Sequence, residues 1–327
     1  MLKPQTRAIR AIEVSMLASA GILLIVGLLL NDSFFLRLAT EALIFGGLAM
    51  SVDLLLGIVG LLSLGQALYF GFGAYLSALI LKEMTPSFGL TIILVTISSA
   101  LLGWITSFIA LRSKGVYFAL ITFGMAQVVA KIVYNTRSLG ASDGMMGVPI
   151  VQIWTPVGII DAAQPSTFFM LTFITIGILY AVSKYFLNTP MGSLWYAIES
   201  NENRLAYIGF QSKRPKQVAF ILAAVIAAVS GSLYPMLRGF VSPELIYFSV
   251  SGNAVVTVVL GGVGTLIGPI LGSILLTLFK SVMGSWTTHH HIIIGLIFII
   301  FVIFAPKGIA GIMTKLYGFK DSKRRGN

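Results

Sequence analysis

The sequence predicts an all-α polytopic membrane protein, a transmembrane bundle of about ten segments that includes a broken or short helix and has both termini in the cytoplasm. Three observations predict it. Hydrophobic residues make up 57% of the 327 positions and charged residues only 10%, with a mean hydropathy of +0.95. So much apolar surface has no place in a water-soluble core of ordinary shape and needs lipid to cover it. The apolar residues also fall in runs of membrane-crossing length separated by polar intervals. Finally, most of the 22 Lys and Arg residues fall on one side when those runs are made to alternate.

The chain opens with Lys3, Arg7 and Arg10 ahead of an apolar run over residues 14–30. That run is long for a signal peptide and no small-residue cleavage site follows it, so it reads as a first span left in place. Residues 38–56 form the second, which ends in a weak spot at Gly57-Ile58-Val59-Gly60; Ser63-Leu64-Gly65-Gln66 then opens a third over 67–81. Glycines with a Ser/Gln pair between two apolar runs mean a tight turn or a broken helix, whose freed backbone groups must face protein or a water-filled path. Residues 88–111 and 116–134 span again around a turn at Arg112-Ser113-Lys114-Gly115, and 135–165 make the longest loop on the outer side.

Residues 166–187 cross to a polar, charged interval at 188–216, and 217–237 cross back. In the latter, Ala223, Ala227 and Gly231 form one small-residue stripe and Ala224, Ala228 and Ser232 another, an arrangement that lets helices approach closely. Residues 248–260 are short for a span and predict a shallow or tilted segment. Residues 266–282 and 292–305 complete the ten, and 306–327 form a basic cytoplasmic tail. The whole of 1–327 reads as a single transmembrane domain.

Alternation from a cytoplasmic N-terminus leaves only Arg37, Lys82, Lys131, Arg137, Arg238 and Lys280 outside, against sixteen of the 22 basic residues inside. The excess places both termini and the 188–216 interval in the cytoplasm. The net charge of +11 therefore reads as topology, since no single basic face suits a nucleic-acid backbone. Absence of Cys removes disulfides, thiolate metal sites and thiol catalysis.

Several residues invite a chemical reading. Asp53 lies within an apolar run, where a carboxylate faces either a solute cavity or a hydrogen-bonding partner near the turn at Gly57. Glu41 lies near the outer end of the same run, where snorkelling or pairing with Arg37 accounts for it. Ser63 and Gln66 at the break offer hydrogen bonds to a solute or cap the following helix. His289, His290 and His291 point about 100° apart on a helix and do not converge on one ion, so no metal site is expected. Gly262-x-Gly264-x-x-x-Gly268 has the wrong spacing for a phosphate loop, and no Lys-Ser/Thr follows it. No nucleophile and base pair up for an intramembrane enzyme.

The 188–216 interval is where the chain meets something soluble. Asn188-Thr189-Pro190 with Gly192 leads into a helix-compatible run over 193–207 that ends at Gly209, a C-cap signal. Leu194, Ile198, Leu205 and Ile208 share one side at helical spacing, while Glu199, Glu202, Asn203 and Arg204 cluster elsewhere. Such a helix lies on a surface or docks in a groove; a merely solvated loop helix is the competing reading.

Pro190-x-Gly192, then Ala197-Ile198-Glu199-x-x-Glu202-x-Arg204-x-Ala206, Gly209 and 216–220, resembles the cytoplasmic coupling segment of the permease subunits of branched-chain amino acid ABC importers. Further stretches resemble the same family in order: Gly60-Leu61-Leu62-Ser63-Leu64-Gly65-Gln66-Ala67 with 71–75, Gly115 to Thr122 followed by Gln127, and Thr136, Gly140 and Asp143-Gly144. Ala219-Phe220 with Ala228, Gly231 and Ser242-Pro243 follows, then Gly261-Gly262-x-Gly264-Thr265-x-x-Gly268-Pro269 and Pro306-x-Gly308. The matches run over about residues 38–311 and look most like the longer of two paired permease subunits.

The resemblance implies a multi-pass subunit of the cell (inner) membrane that is not itself an enzyme. It implies as partners a second, homologous permease, two cytoplasmic ABC ATPase subunits and an extracytoplasmic solute-binding protein. ATP and magnesium would be bound by the ATPases, leaving this chain without a cofactor. Ala197, Ile198, Glu199, Glu202, Asn203, Arg204, Ala206 and Gly209 would form the ATPase-coupling contact, and Asp53, Ser63, Gln66, Tyr117 and Thr122 are candidates for the solute pathway. Gln66 stands where the family usually has His, and Asp53 where Asn is common. The expected solute is a branched-chain or other hydrophobic amino acid; urea or short amides are the alternative, and an ATP-independent carrier or channel the more distant one.

Overall fold

Continuous apolar runs of this length satisfy their backbone in lipid by folding as helices, in which every hydrogen bond stays within the segment. The computed structural model describes residues 33–84, 86–155, 158–161, 163–207 and 209–286, together with Gly295 and Gly308, and all eight expected segments within that range are helical. The expected first span, the three histidines, the last span apart from Gly295, and the basic tail apart from Gly308 lie outside the described residues.

Helix α1 covers Ser33–Asp53 and runs on into a π-helical turn at Leu54–Val59. Helix α2 is Gln66–Glu83, α3 Phe88–Ala110, α4 Val116–Asn135 and α5 Pro165–Leu187. The cytoplasmic helix α6 is Pro190–Tyr207; α7 is Lys213–Arg238, α8 Phe248–Gly261 and α9 Gly268–Trp286. Among the described residues, α1 with its π turn, α3, α4, α5 and α7 are long and apolar enough to cross a bilayer. Helix α8 has 14 residues, about 21 Å at helical rise, which is short of the roughly 30 Å hydrocarbon layer.

Helix α7 is the centre of the bundle and packs on α1, α2 and α3. Its two small-residue stripes are buried throughout, as Ala223, Ala224, Ala227, Ala228, Gly231 and Ser232. The closest approach is to α2, where a methyl added to Gly73 would collide with the Ala228 carbonyl and one added to Gly231 with the Phe70 carbonyl. With the backbones so close, Ser77 Oγ donates to the Ser232 carbonyl at 2.9 Å. Helix α3 turns an apolar stripe of Ile93, Ile97, Leu101 and Ile105 away from this chain, the face that lipid or another helix must cover.

The break after α1 is a widened helix end. Gly60 takes a left-handed φ of 76° and donates to the Leu55 carbonyl, and the same carbonyl accepts from the Leu61 amide at 2.8 Å. Four irregular residues follow before α2 begins.

The outer loop is more ordered than its polar composition suggests. Strand β1 (Met145–Met146) pairs antiparallel with β4 (Phe240–Val241), just beyond the end of α7. Strands β2 (Gln152–Thr155) and β3 (Gly158–Asp161) form an antiparallel hairpin. Lys82 at the end of α2 donates to the Met146 carbonyl at 2.9 Å.

Tertiary contacts agree with the alternation read from charge. Lys82 meets the outer loop, and Arg238 pairs with Glu41 at 2.5 Å, all at the expected outer ends. Glu41 thus pairs with α7 rather than with its helical neighbour Arg37, because the end of α7 brings a guanidinium directly across from it.

Candidate functional site

The cytoplasmic helix α6 is built on one aromatic anchor. Trp195 is completely buried, stacks on Phe186 at 6.2 Å between ring centroids, and donates its indole N–H to the Pro215 carbonyl at 2.8 Å. It therefore ties α6 to the end of α5 and the start of α7. Of the residues expected on one side, Ile198 and Leu205 are buried, Leu194 is half-buried, and Ile208 lies outside the described residues. The burial of Trp195 is not legible in the sequence, because a lone indole at a water boundary has no pattern to betray its depth.

Helix α6 is two pieces. Asn201 departs from helical backbone with φ −167° and ψ 98°, and its side-chain oxygen accepts the Arg204 amide at 3.1 Å. Asn201 is thus the N-cap of a new helical turn, a role its side chain suits. At the far end Gly209, with φ 82°, donates to the Ala206 carbonyl, and the Phe210 amide to that of Leu205, both at 3.1 Å. The glycine C-cap is where the spacing predicts it.

Glu202 is held within the chain. Its carboxylate accepts from Lys216 at 2.6 Å and from the Ser212 hydroxyl at 2.6 Å, and Lys114 of the α3–α4 turn approaches to 3.8 Å. Partial burial pushes its pKa up, but the hydrogen bonds from Lys216 and Ser212 and the charges of Lys216 and Lys114 outweigh that, leaving it below its ordinary value. Lys216 is buried, which a basic run read as topology does not reveal.

Of the residues expected to meet an ATPase, Glu199, Asn203, Arg204, Ala206 and Gly209 are exposed, Ala197 is half-buried and Ile198 is turned into this chain's own core. Tyr207 and Phe210, not among those residues, are exposed large aromatics on the same tip. Helix α6 also touches the π turn, and a methyl on Gly60, which ends that turn, would sit 3.3 Å from the Glu199 Cα.

Asp53 sits where α1 becomes π-helical and is fully buried. Its two oxygens accept the Gly264 amide at 2.6 Å and the Leu266 amide at 2.8 Å. Gly264 has φ 78° and Leu266 φ 59°, so the glycine-rich loop between α8 and α9 turns its N–H groups into an anion-binding concavity that Asp53 fills. Of the two readings of Asp53, the hydrogen-bonded partner near Gly57 is the one the geometry supports. Gly57 itself is in the contact, for a methyl there would strike Gly264 and the Asp53 carboxylate.

Ser63, Gln66 and Thr122 come together at the start of α2. Thr122 Oγ1 accepts the Leu64 amide at 3.2 Å, and Ser63 Oγ lies 3.4 Å from the Gly65 amide and 3.5 Å from the Gln66 side-chain nitrogen. The Ala67 amide is satisfied by Ser251 at 2.9 Å. These groups hold the start of α2, and Gln66 Oε1 is buried without a partner among the described residues. Tyr117 stays apart, exposed on the first turn of α4.

The profile of the family described as branched-chain amino acid transport system / permease component matches residues 34–302. The chain belongs to that family. As a family member it is a multi-pass protein of the cell membrane and a transport subunit. It is 26% identical to the high-affinity branched-chain amino acid transport system permease protein LivM of Salmonella typhimurium, over 88% of this chain and 73% of that one. It is 20% identical to the LivH permease protein of the same organism, over 81% of this chain and 90% of that one. It is also 25% identical to the autoinducer 2 import system permease protein LsrC of Yersinia pseudotuberculosis, over 75% of this chain and 64% of that one. No solved structure shows a significant match to this permease.

Proposed function

We propose that this chain is one permease half of an ATP-driven ABC importer for branched-chain or other hydrophobic amino acids. It pairs with a second, homologous permease and receives solute from an extracytoplasmic binding protein. Two cytoplasmic ATPases bind the ATP and magnesium, and one of them docks on α6.

The observation that carries this reading is the construction of α6. One side is locked to the bundle through Trp195 and Glu202, while Asn203, Arg204, Tyr207 and Phe210 stand exposed at its tip. A helix that is rigidly anchored yet carries exposed aromatics and an arginine suits a protein partner. It also bears on Gly60 and the π turn, which bears in turn on the Gly264 loop. Displacement of α6 by an ATPase would thus bear on α1 and on the α8–α9 loop. The relatives named for branched-chain amino acid transport support the solute class.

The test is an affinity purification of the chain from its native membrane in mild detergent, with co-purifying chains identified by mass. Recovery of ATPase subunits and a second permease, with loss of the ATPase subunits but not of the second permease from Arg204→Glu with Tyr207→Ala, is the expected result. Solute movement by the chain alone in ATP-free vesicles would overturn it in favour of a carrier.

A further inference from the structure

A cavity of about 460 Å3 opens between α1, the end of α7, α8 and α9. It is unrelated to the Asp53, Ser63 and Gln66 positions and runs beside α1 from Phe34 at the outer end to Leu48. Fourteen residues of helix are about 21 Å, so the cavity reaches from the outer boundary past the middle of the membrane segment. Its walls divide chemically. Glu41, Arg238 and Lys280 line it with charge, while Phe45, Leu48 and Ala254 line it with apolar surface. Phe45 is fixed by stacking on Phe70 at 5.5 Å.

The charges do not cancel. Glu41 Oε2 is engaged by Arg238 at 2.5 Å, but Glu41 Oε1 has no donor among the described residues. Lys280, on the facing helix α9, likewise has neither a hydrogen bond nor a salt bridge to any described residue. Among the described residues the lining therefore carries one more positive than negative charge, with Lys280 reached by Glu41 only through its charge, beside a carboxylate oxygen that still accepts. A molecule with an anionic group and an ammonium at one end and a small apolar body would answer all three features.

We infer that this cavity is the entry site for a zwitterionic amino acid, with Lys280 binding the solute carboxylate, Glu41 its ammonium, and Phe45 and Leu48 its apolar side chain. The identity of the ligand rests on the importer reading above, whereas the cavity's accessibility from outside does not. The headgroup of phosphatidylethanolamine offers the same pairing of anion and ammonium, and the experiment separates the two.

The chain contains no cysteine, so a single Thr277→Cys on the cavity wall gives one thiol in this chain, which is followed on its own band after the subunits are separated. In the intact importer, reconstituted with its binding protein, that thiol should react with a membrane-impermeant maleimide added outside, and millimolar L-leucine should slow the reaction. Lys280→Met should raise the KM for leucine uptake on the order of tenfold, with Lys280→Arg restoring most of it and ATPase assembly unchanged. Labelling that leucine does not slow, with unaltered KM in Lys280→Met, overturns the site while leaving the importer intact. Protection by added phosphatidylethanolamine but not by leucine assigns the cavity to lipid and overturns it as well. An assembled wild-type complex that hydrolyses ATP without moving leucine overturns the ligand and the importer's solute class together, whatever the thiol shows.

Discussion

Asp53 accepts the amide proton of Leu266 at 2.8 Å across 213 positions of sequence, and Leu266 has a left-handed backbone that a branched side chain adopts at a cost of roughly 1–3 kcal/mol. The carboxylate offsets that cost by satisfying amides that the turn leaves pointing inward. Because Gly264 and Leu266 share one carboxylate, the inner end of α1 and the α8–α9 loop move as a unit.

Asp53→Asn removes the charge and leaves one oxygen to accept, so one of the two amides loses its partner. It should destabilise the protein by about 1–3 kcal/mol, with Asp53→Ala worse. Thermal unfolding followed by size-exclusion chromatography in detergent measures both; an unchanged midpoint in Asp53→Ala would show that the loop holds its shape unaided.

The α2–α7 contact predicts a strong positional contrast among glycines. Gly231→Val must push the helices apart at the Phe70 carbonyl, and should cost at least about 1–3 kcal/mol and the yield of monodisperse protein. Gly124→Ala, with open space around it on α4, should behave as wild type or slightly better. Equal yields from both would contradict the close packing.

The Glu202 cluster predicts a pH dependence. Its folded pKa is depressed below 4.5, so the stability it contributes is present above the ordinary glutamate pKa and is lost as pH falls from there through the folded value. Glu202→Gln should flatten this part of the stability–pH curve and leave Lys216 buried without a charge partner, for a loss near neutral pH of about 1–2 kcal/mol. Denaturation midpoints for the two proteins between pH 7 and pH 3 supply the check; parallel curves would remove Glu202 from the account.

Trp195 separates packing from hydrogen bonding. Trp195→Phe keeps an aromatic ring beside Phe186 and loses the bond to the Pro215 carbonyl, for about 1 kcal/mol. Trp195→Ala opens a cavity and should cost about 3–5 kcal/mol. Proteolysis within 188–216 should report both, since α6 is the element released; if neither variant is cleaved faster, the anchor lies elsewhere.

The sequence by itself determined the helices, their order and their direction. Apolar length, glycine breaks and the sorting of Lys and Arg are local quantities, and in lipid a backbone has few alternatives to helix. The buried stripe of α7 and the Gly209 cap were legible for the same reason, since each depends on spacing within one element. Which partner each polar group takes was decided only in three dimensions. Glu41 could pair within its helix or across the bundle, and the position of Arg238 chose the second. Asp53 could face solute or backbone, and a loop more than two hundred residues away took both of its oxygens. Trp195 and Lys216 became buried because α6 folds back onto the start of α7. The cavity beside Lys280 exists only where α1, α7, α8 and α9 meet, because hydrogen-bond partners and voids belong to packing and no one-dimensional period encodes them.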